Sequence, residues 1–105
     1  MKDAVRVFNA WVRRRDGKCV QCGTKKRLTA GHLISARRLS TRFDEQNVFG
    51  QCAKENYIHQ YRPELYTAWF VDRVGPITYL RLVDQSKEPH KFTRSELEAI
   101  IQKYS

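Results

Sequence analysis

Two cysteines held in one short stretch, Cys19-Val20-Gln21-Cys22, and a third far along the chain at Cys52 constrain this sequence more than any other feature. A Cys-x-x-Cys knuckle presents two soft thiolates from one tight turn, as a tetrahedral zinc ion requires, and Cys52 can complete the clamp from a distant segment. What lies between is then pinned. Ala30-Gly31-His32 falls inside that span and Gln51-Cys52-Ala53-Lys54-Glu55-Asn56 closes it, so the side chains of His32 and Asn56 would be held between the two arms of the clamp. A chain of 105 residues fits one domain, and so small a domain buries little apolar surface, which makes a metal staple useful. An odd number of cysteines, two of them at knuckle spacing, argues against a disulfide framework and for thiolates kept reduced in a cytosol. No apolar run approaches the roughly 20 residues of a membrane span, and the N-terminus has no apolar signal core, so a soluble, cytoplasmic protein with no membrane partner is expected.

Charge is the second constraint. Residues 1–42 hold twelve Lys or Arg against Asp3 and Asp16, whereas residues 43–105 hold eight against nine acids, so the net charge of +9 comes wholly from the first part. Arg13-Arg14-Arg15, Lys25-Lys26-Arg27, Arg37-Arg38 and Arg42 bracket the clamped segment. Such clustering is the footprint of a polyanion, and DNA or RNA is the expected partner.

Patterning gives these parts a frame. Asp3 is placed to cap a first helix over about 4–15, with Val5, Phe8 and Val12 at helical spacing and Trp11 alongside, and Asp16-Gly17 ends it. Gly23 can supply the unusual backbone angle of a chelating turn. Leu28 to Ile34 reads as the first strand of a hairpin, Ser35 to Gln46 as a long loop, and Asn47 to Gln51 as the returning strand. A helix starting near Cys52 puts Cys52 and Glu55 at i, i+3 and Glu55 and His59 at i, i+4. Arg62-Pro63 interrupts it and opens another, in which Leu65, Ala68 and Trp69 share a face expected to be core, with Phe70 beside it. Gly75-Pro76 precedes 77–83, which reads as a short helix or a strand, with helix favoured. Thr93-Arg94-Ser95-Glu96 matches a capping box, followed by an apolar stripe of Leu97, Ile100, Ile101 and Tyr104. The whole reads as a small, mainly helical α+β domain over 1–105, with a hairpin-helix core and zinc knuckle in 17–62 and flanking helices at 4–15 and 63–105.

These residues resemble the HNH, or ββα-metal, nuclease family, and within it the phage lambda NinG (Rap) recombination nucleases. The stretches that carry the resemblance are Arg13 through Gly23 with its knuckle, Ala30-Gly31-His32, Arg42-Phe43-Asp44-Glu45-Gln46-Asn47, and Gln51-Cys52 through Asn56. The resemblance implies a ββα-metal core and a metal-dependent endonuclease that hydrolyses phosphodiester bonds, acting on branched DNA in the host cytoplasm. It makes Cys19, Cys22 and Cys52 structural zinc ligands, His32 the general base, Asn47 a brace for the loop of the catalytic segment, and Asn56 a ligand of a catalytic Mg²⁺ or Mn²⁺. A neutral imidazole is suited to take a proton from water near neutral pH, and a carboxamide oxygen suits a hard cation. Arg37, Arg38 and Arg42 are candidates to clamp the scissile phosphate, with Arg13, Arg14, Arg15, Lys25 and Lys26 as further DNA contacts.

Two departures from the pattern matter. Zinc-bearing relatives have a second Cys-x-x-Cys where this chain has Cys52-Ala53-Lys54-Glu55, so the fourth zinc ligand would be Glu55, His59 or water, or the zinc is absent. Many wider HNH enzymes carry Asp or His where this chain has Gly31, so a second ligand for the catalytic ion must come from elsewhere, with Asp44, Glu45, Glu55 and His59 as candidates. Cutting two strands together would need two sites, which makes a homodimer attractive. A non-catalytic zinc-ribbon module that binds nucleic acid is the alternative, and in it His32 and Asn56 are incidental.

Overall fold

The hairpin and the knuckle are held among six helices in the computed structural model, which describes residues 1–105. In chain order these are α1 (Lys2–Asp16), β1 (Leu28–His32), α2 (Leu39–Arg42), β2 (Val48–Cys52), α3 (Ala53–Tyr61), α4 (Pro63–Arg73), α5 (Pro76–Ser86) and α6 (Arg94–Tyr104). The two strands are antiparallel, pairing Leu28 with Cys52, Ala30 with Gly50 and His32 with Val48. Because side chains alternate across a strand, Ala30, His32 and Val48 share one face of the ribbon, and Thr29, Gly31, Phe49 and Gln51 share the other.

Each face has its own apolar cluster. On the first, Val48 packs with Val7, Phe8 and Val12 of α1 and Tyr104 of α6, with Trp11, Ala30, Phe43, Ile100 and Ile101 around them. The Phe8 ring meets Tyr104 and Phe43 edge to face at 4.8 and 5.5 Å between centroids. On the second, Leu33 packs with Tyr66 and Phe70 of α4 and Leu82 of α5, and Phe49 and Trp69 border them. Only 17 of the 105 residues are buried, so neither cluster is large and other fastenings must contribute. No helix is long and apolar enough to cross a membrane.

Several boundaries differ from the sequence reading, each for a local reason. The first helix begins at Lys2 with Met1 as its cap, so Asp3 sits inside the first turn, where its charge complements the helix dipole and faces Arg6. Gly17 ends that helix at φ 68°, its N–H on the Arg13 carbonyl. The first strand stops at His32, because the Asn47 side chain takes both main-chain groups of Ile34. The loop expected over 35–46 contains one short helical turn, α2. The returning strand runs one residue later than expected, from Val48 to Cys52. In α4 the buried face is Tyr66 and Phe70 with Trp69, while Leu65 and Ala68 are exposed. The helix is turned by its anchor, the Tyr66 hydroxyl, which donates to the Gly31 carbonyl at 2.9 Å. The helix expected at 77–83 is α5, and the Thr93–Glu96 capping box forms with both of its reciprocal hydrogen bonds.

Candidate metal centre and active site

Cys19, Cys22 and Cys52 converge. Their Sγ atoms all lie within 4.8 Å of one another, and Cys22 and Cys52 are 3.7 Å apart. Zinc–sulfur bonds of about 2.3 Å at a tetrahedral angle put sulfurs about 3.8 Å apart, so the spacing fits a zinc ion. The knuckle closes through the Cys19 N–H on the Thr24 carbonyl (2.8 Å) and the Gly23 N–H on the Cys19 carbonyl (2.9 Å), with Gly23 at φ 78°. Cys52 ends β2 and caps α3, its sulfur accepting the Glu55 N–H at 3.4 Å. No cysteine is in a disulfide. Burial opposes ionisation of Cys19, but the main-chain N–H groups of Cys52, Cys22 and Gln21 outweigh it and hold the thiol below its ordinary range. The Thr24 N–H favours the Cys22 thiolate, yet desolvation and the neighbouring Cys19 and Cys52 sulfurs push that thiol up. Three sulfurs competing for protons form a cluster that a dication can relieve.

Neither Glu55 nor His59 joins these three sulfurs, so neither supplies the fourth ligand in this geometry. His59 lies elsewhere. Its ring meets the Tyr66 ring edge to face at 4.9 Å, and its Nδ1 is buried without a hydrogen-bond partner. Through Tyr66 it is linked to Gly31, the residue before His32.

His32 ends β1 partly buried, with Nε2 3.0 Å from the Arg42 carbonyl oxygen. A carbonyl only accepts, so Nε2 carries the proton and Nδ1 holds the lone pair. Burial lowers the pKa of His32 below its ordinary value; the Arg42 carbonyl opposes this, and the Arg42 charge adds to it. The imidazole is therefore neutral at pH 7. Arg42 reaches the Ala36 carbonyl through one nitrogen (3.2 Å) and buries its Nε without a partner.

Asn47 is fully buried, and both donors and the oxygen of its amide are engaged. Its oxygen accepts the Ile34 N–H at 2.8 Å, and its nitrogen donates to the carbonyls of Ile34 (3.1 Å) and Thr41 (3.0 Å). It ties the end of β1 to α2, the turn that supplies the carbonyl under His32. Asn56 is half-buried in the first turns of α3, one helical turn before His59. Two other candidate acids for the catalytic ion are engaged with other partners: Asp44 pairs with Arg81 at 2.9 Å, and Glu45 accepts from the Tyr104 hydroxyl at 2.7 Å.

The basic candidates divide. Lys25, Lys26, Arg37 and Arg38 are exposed, Arg14 is exposed while reaching the Tyr104 carbonyl, and Arg13 is half-buried. Arg15 is a structural residue here. Its guanidinium bonds Asp16, the Glu45 carbonyl and the Val48 carbonyl, and lies over the rings of Trp11 and Phe49.

One residue that sequence reading passed over decides the shape of the hairpin. Gln51 is fully buried, donates to the Gln21 carboxamide at 2.6 Å, and leaves its own oxygen unpartnered. It fills the space over Gly31, where an added Cβ would lie 2.8 Å from Gln51 Cβ and 2.9 Å from Cδ. Only glycine fits beneath it. A glutamine in the otherwise apolar Val48-Phe49-Gly50-Gln51-Cys52 strand was the available signal.

The model of one family, described as the bacteriophage lambda NinG protein, matches residues 1–105. No curated protein and no solved structure matches the chain.

Proposed function

The chain belongs to the bacteriophage lambda NinG family over its whole length, and from that premise we propose that it is a metal-dependent DNA endonuclease of HNH type. Its substrates are branched intermediates of phage recombination, and the three cysteines hold a structural zinc. The observation that carries the catalytic reading is the setting of His32: a partly buried ring whose Nε2 lies 3.0 Å from the Arg42 carbonyl oxygen, which leaves Nδ1 to accept a proton, with burial favouring the neutral form.

Hydrolysis of a phosphodiester needs a water relieved of its proton, charge to meet the transition state, and help for the departing 3′ oxygen. His32 takes the proton at Nδ1, and the charge built up on the ring is shared with the Arg42 carbonyl through Nε2–H. Asn47 keeps that carbonyl in place by fixing the turn that carries it. The Arg42 guanidinium, close enough to depress the His32 pKa, would meet a phosphate oxygen in this reading. The donor chemistry suits a divalent ion: Asn56 would hold Mg²⁺ or Mn²⁺ through its oxygen, and His59 offers a buried nitrogen without a partner. When bound, such an ion supplies positive charge for the phosphate and the leaving oxygen. Lys25, Lys26, Arg37 and Arg38 contact the DNA backbone, which orients the substrate by shape more than by sequence.

The test is incubation of the purified chain with supercoiled plasmid and with four-way-junction DNA, with and without Mg²⁺ or Mn²⁺. Nicked products that need the metal, and appear faster on the junction than on linear duplex, are expected. Metal-dependent binding without any product would leave the non-catalytic nucleic-acid-binding module.

A further inference from the structure

Three sulfurs leave one ligand of a tetrahedral zinc ion to a group from outside the chain, since neither Glu55 nor His59 joins the cluster. What surrounds the cluster indicates which group. Cys22 and Cys52 line a surface cavity of about 680 Å³, while Cys19 is buried. That volume suits a nucleotide-sized ligand. Lys26, Arg27 and Lys54 also line the cavity, and no acid does. A zinc ion with three thiolates carries one net negative charge, and the three cations more than balance it, so the cavity as a whole attracts an anion. Tyr57 forms part of the wall and is 61% exposed; its ring leans on that of Tyr61, itself 65% exposed, at 5.1 Å. Two exposed aromatic rings beside a basic pocket offer a stacking surface for a base.

We propose that this cavity binds the phosphorylated end of a DNA strand, with a terminal phosphate oxygen as the fourth zinc ligand, Lys26, Arg27 and Lys54 around the phosphate, and the terminal base against Tyr57. The site is separate from His32 and would hold a strand end while the substrate is gripped. This rests on the reading that the three thiolates hold zinc.

The full chain loaded with Co²⁺ in place of zinc tests it, because cobalt's visible bands report the ligand set directly. Sulfur-to-cobalt charge transfer for three thiolates is expected. A 5′-phosphorylated oligonucleotide should shift the visible bands at a concentration at least about tenfold below that needed by the same strand without its phosphate. Glu55→Cys offers a fourth thiolate from the first turn of α3, where the Cys52 sulfur already accepts the residue-55 N–H. That variant should raise the charge-transfer intensity by roughly a third, in proportion to thiolate number, and abolish the shift. Lys54→Ala should weaken the response to phosphate while leaving the cobalt spectrum of the free chain unchanged. A response to the strand end stronger than to inorganic phosphate, and lowered by Tyr57→Ala, is expected; an equal response to inorganic phosphate overturns the assignment to a strand end. Failure to bind cobalt overturns this proposal together with the zinc reading. Cobalt bound by three thiolates with bands indifferent to every phosphate overturns the proposal alone.

Discussion

Gly31→Ala is expected to cost the fold about 2–4 kcal/mol, far more than one added methyl group would suggest. The new Cβ would stand 2.8 Å from Gln51 Cβ and 2.9 Å from Cδ, where carbon atoms normally rest at 3.5–4.0 Å. Gln51 Cβ is fixed to β2, so the clash cannot be relieved by swinging the end of a flexible side chain. Either the two strands separate or the buried carboxamide leaves. Overpacking of this kind costs about 1–3 kcal/mol, and losing the Gln51 to Gln21 hydrogen bond adds about 0.5–1.5 kcal/mol. For a domain of this size that is a fall in melting temperature of roughly 10–30 °C, measurable by circular dichroism. The decisive comparison is a double-mutant cycle with Gln51→Gly, which removes the Cβ as well as the carboxamide. With the glutamine gone the space over residue 31 is open, and Gly31→Ala should then cost no more than about 0.5 kcal/mol, since alanine also lowers the entropy of the unfolded chain. An equal cost in both backgrounds, or a single variant within 0.5 kcal/mol of the parent, would refute the packing argument.

Three further outcomes follow from the same geometry. Cys19→Ser should lower the melting temperature by about 10 °C or more, and a strong chelator should do the same to the parent chain; an unchanged melt in both cases would remove the zinc staple. Asn47→Ala should destabilise by about 2–4 kcal/mol, because it strands the Ile34 N–H and the Ile34 and Thr41 carbonyls, and chemical denaturation would read the loss. The His32 pKa is lower in the folded chain than the ordinary value of about 6.5, so the unfolded chain binds more protons in that window. The stability contribution of His32 is full above pH 6.5 and is lost as pH falls through the folded value. The nicking rate should accordingly be flat above pH 6.5 and fall only below it, and an acid limb centred above 7 would contradict a buried, neutral base.

Much of the fold was legible because local rules and tertiary contacts agree in it. The capping box at Thr93, the proline-led helices after Arg62 and Gly75, and the knuckle glycine all act through backbone chemistry that is written locally. What was illegible depends on partners distant in sequence. Nothing around Leu65 shows that α4 turns on the hydrogen bond from Tyr66 to Gly31, and nothing in Arg13-Arg14-Arg15 marks the third arginine as the one clamped between Asp16 and the hairpin. The cysteine spacing foretold the cluster of sulfurs. It could not exclude Glu55 and His59, because i, i+3 and i, i+4 neighbours on a helix need not aim at the same point. Gln51 escaped notice because a polar residue in a strand is ordinarily given to solvent, whereas here it fills the space a glycine leaves.

The claim on which the functional reading turns is that the His32 imidazole takes the proton from the attacking water. The most direct measurement is metal-dependent nicking of supercoiled DNA by His32→Ala, set beside its DNA affinity and its melting temperature. Loss of nicking by at least about a hundredfold, the lower end for removal of a general base, with binding and melting close to the parent, is the expected result. Nicking at the parental rate would contradict it.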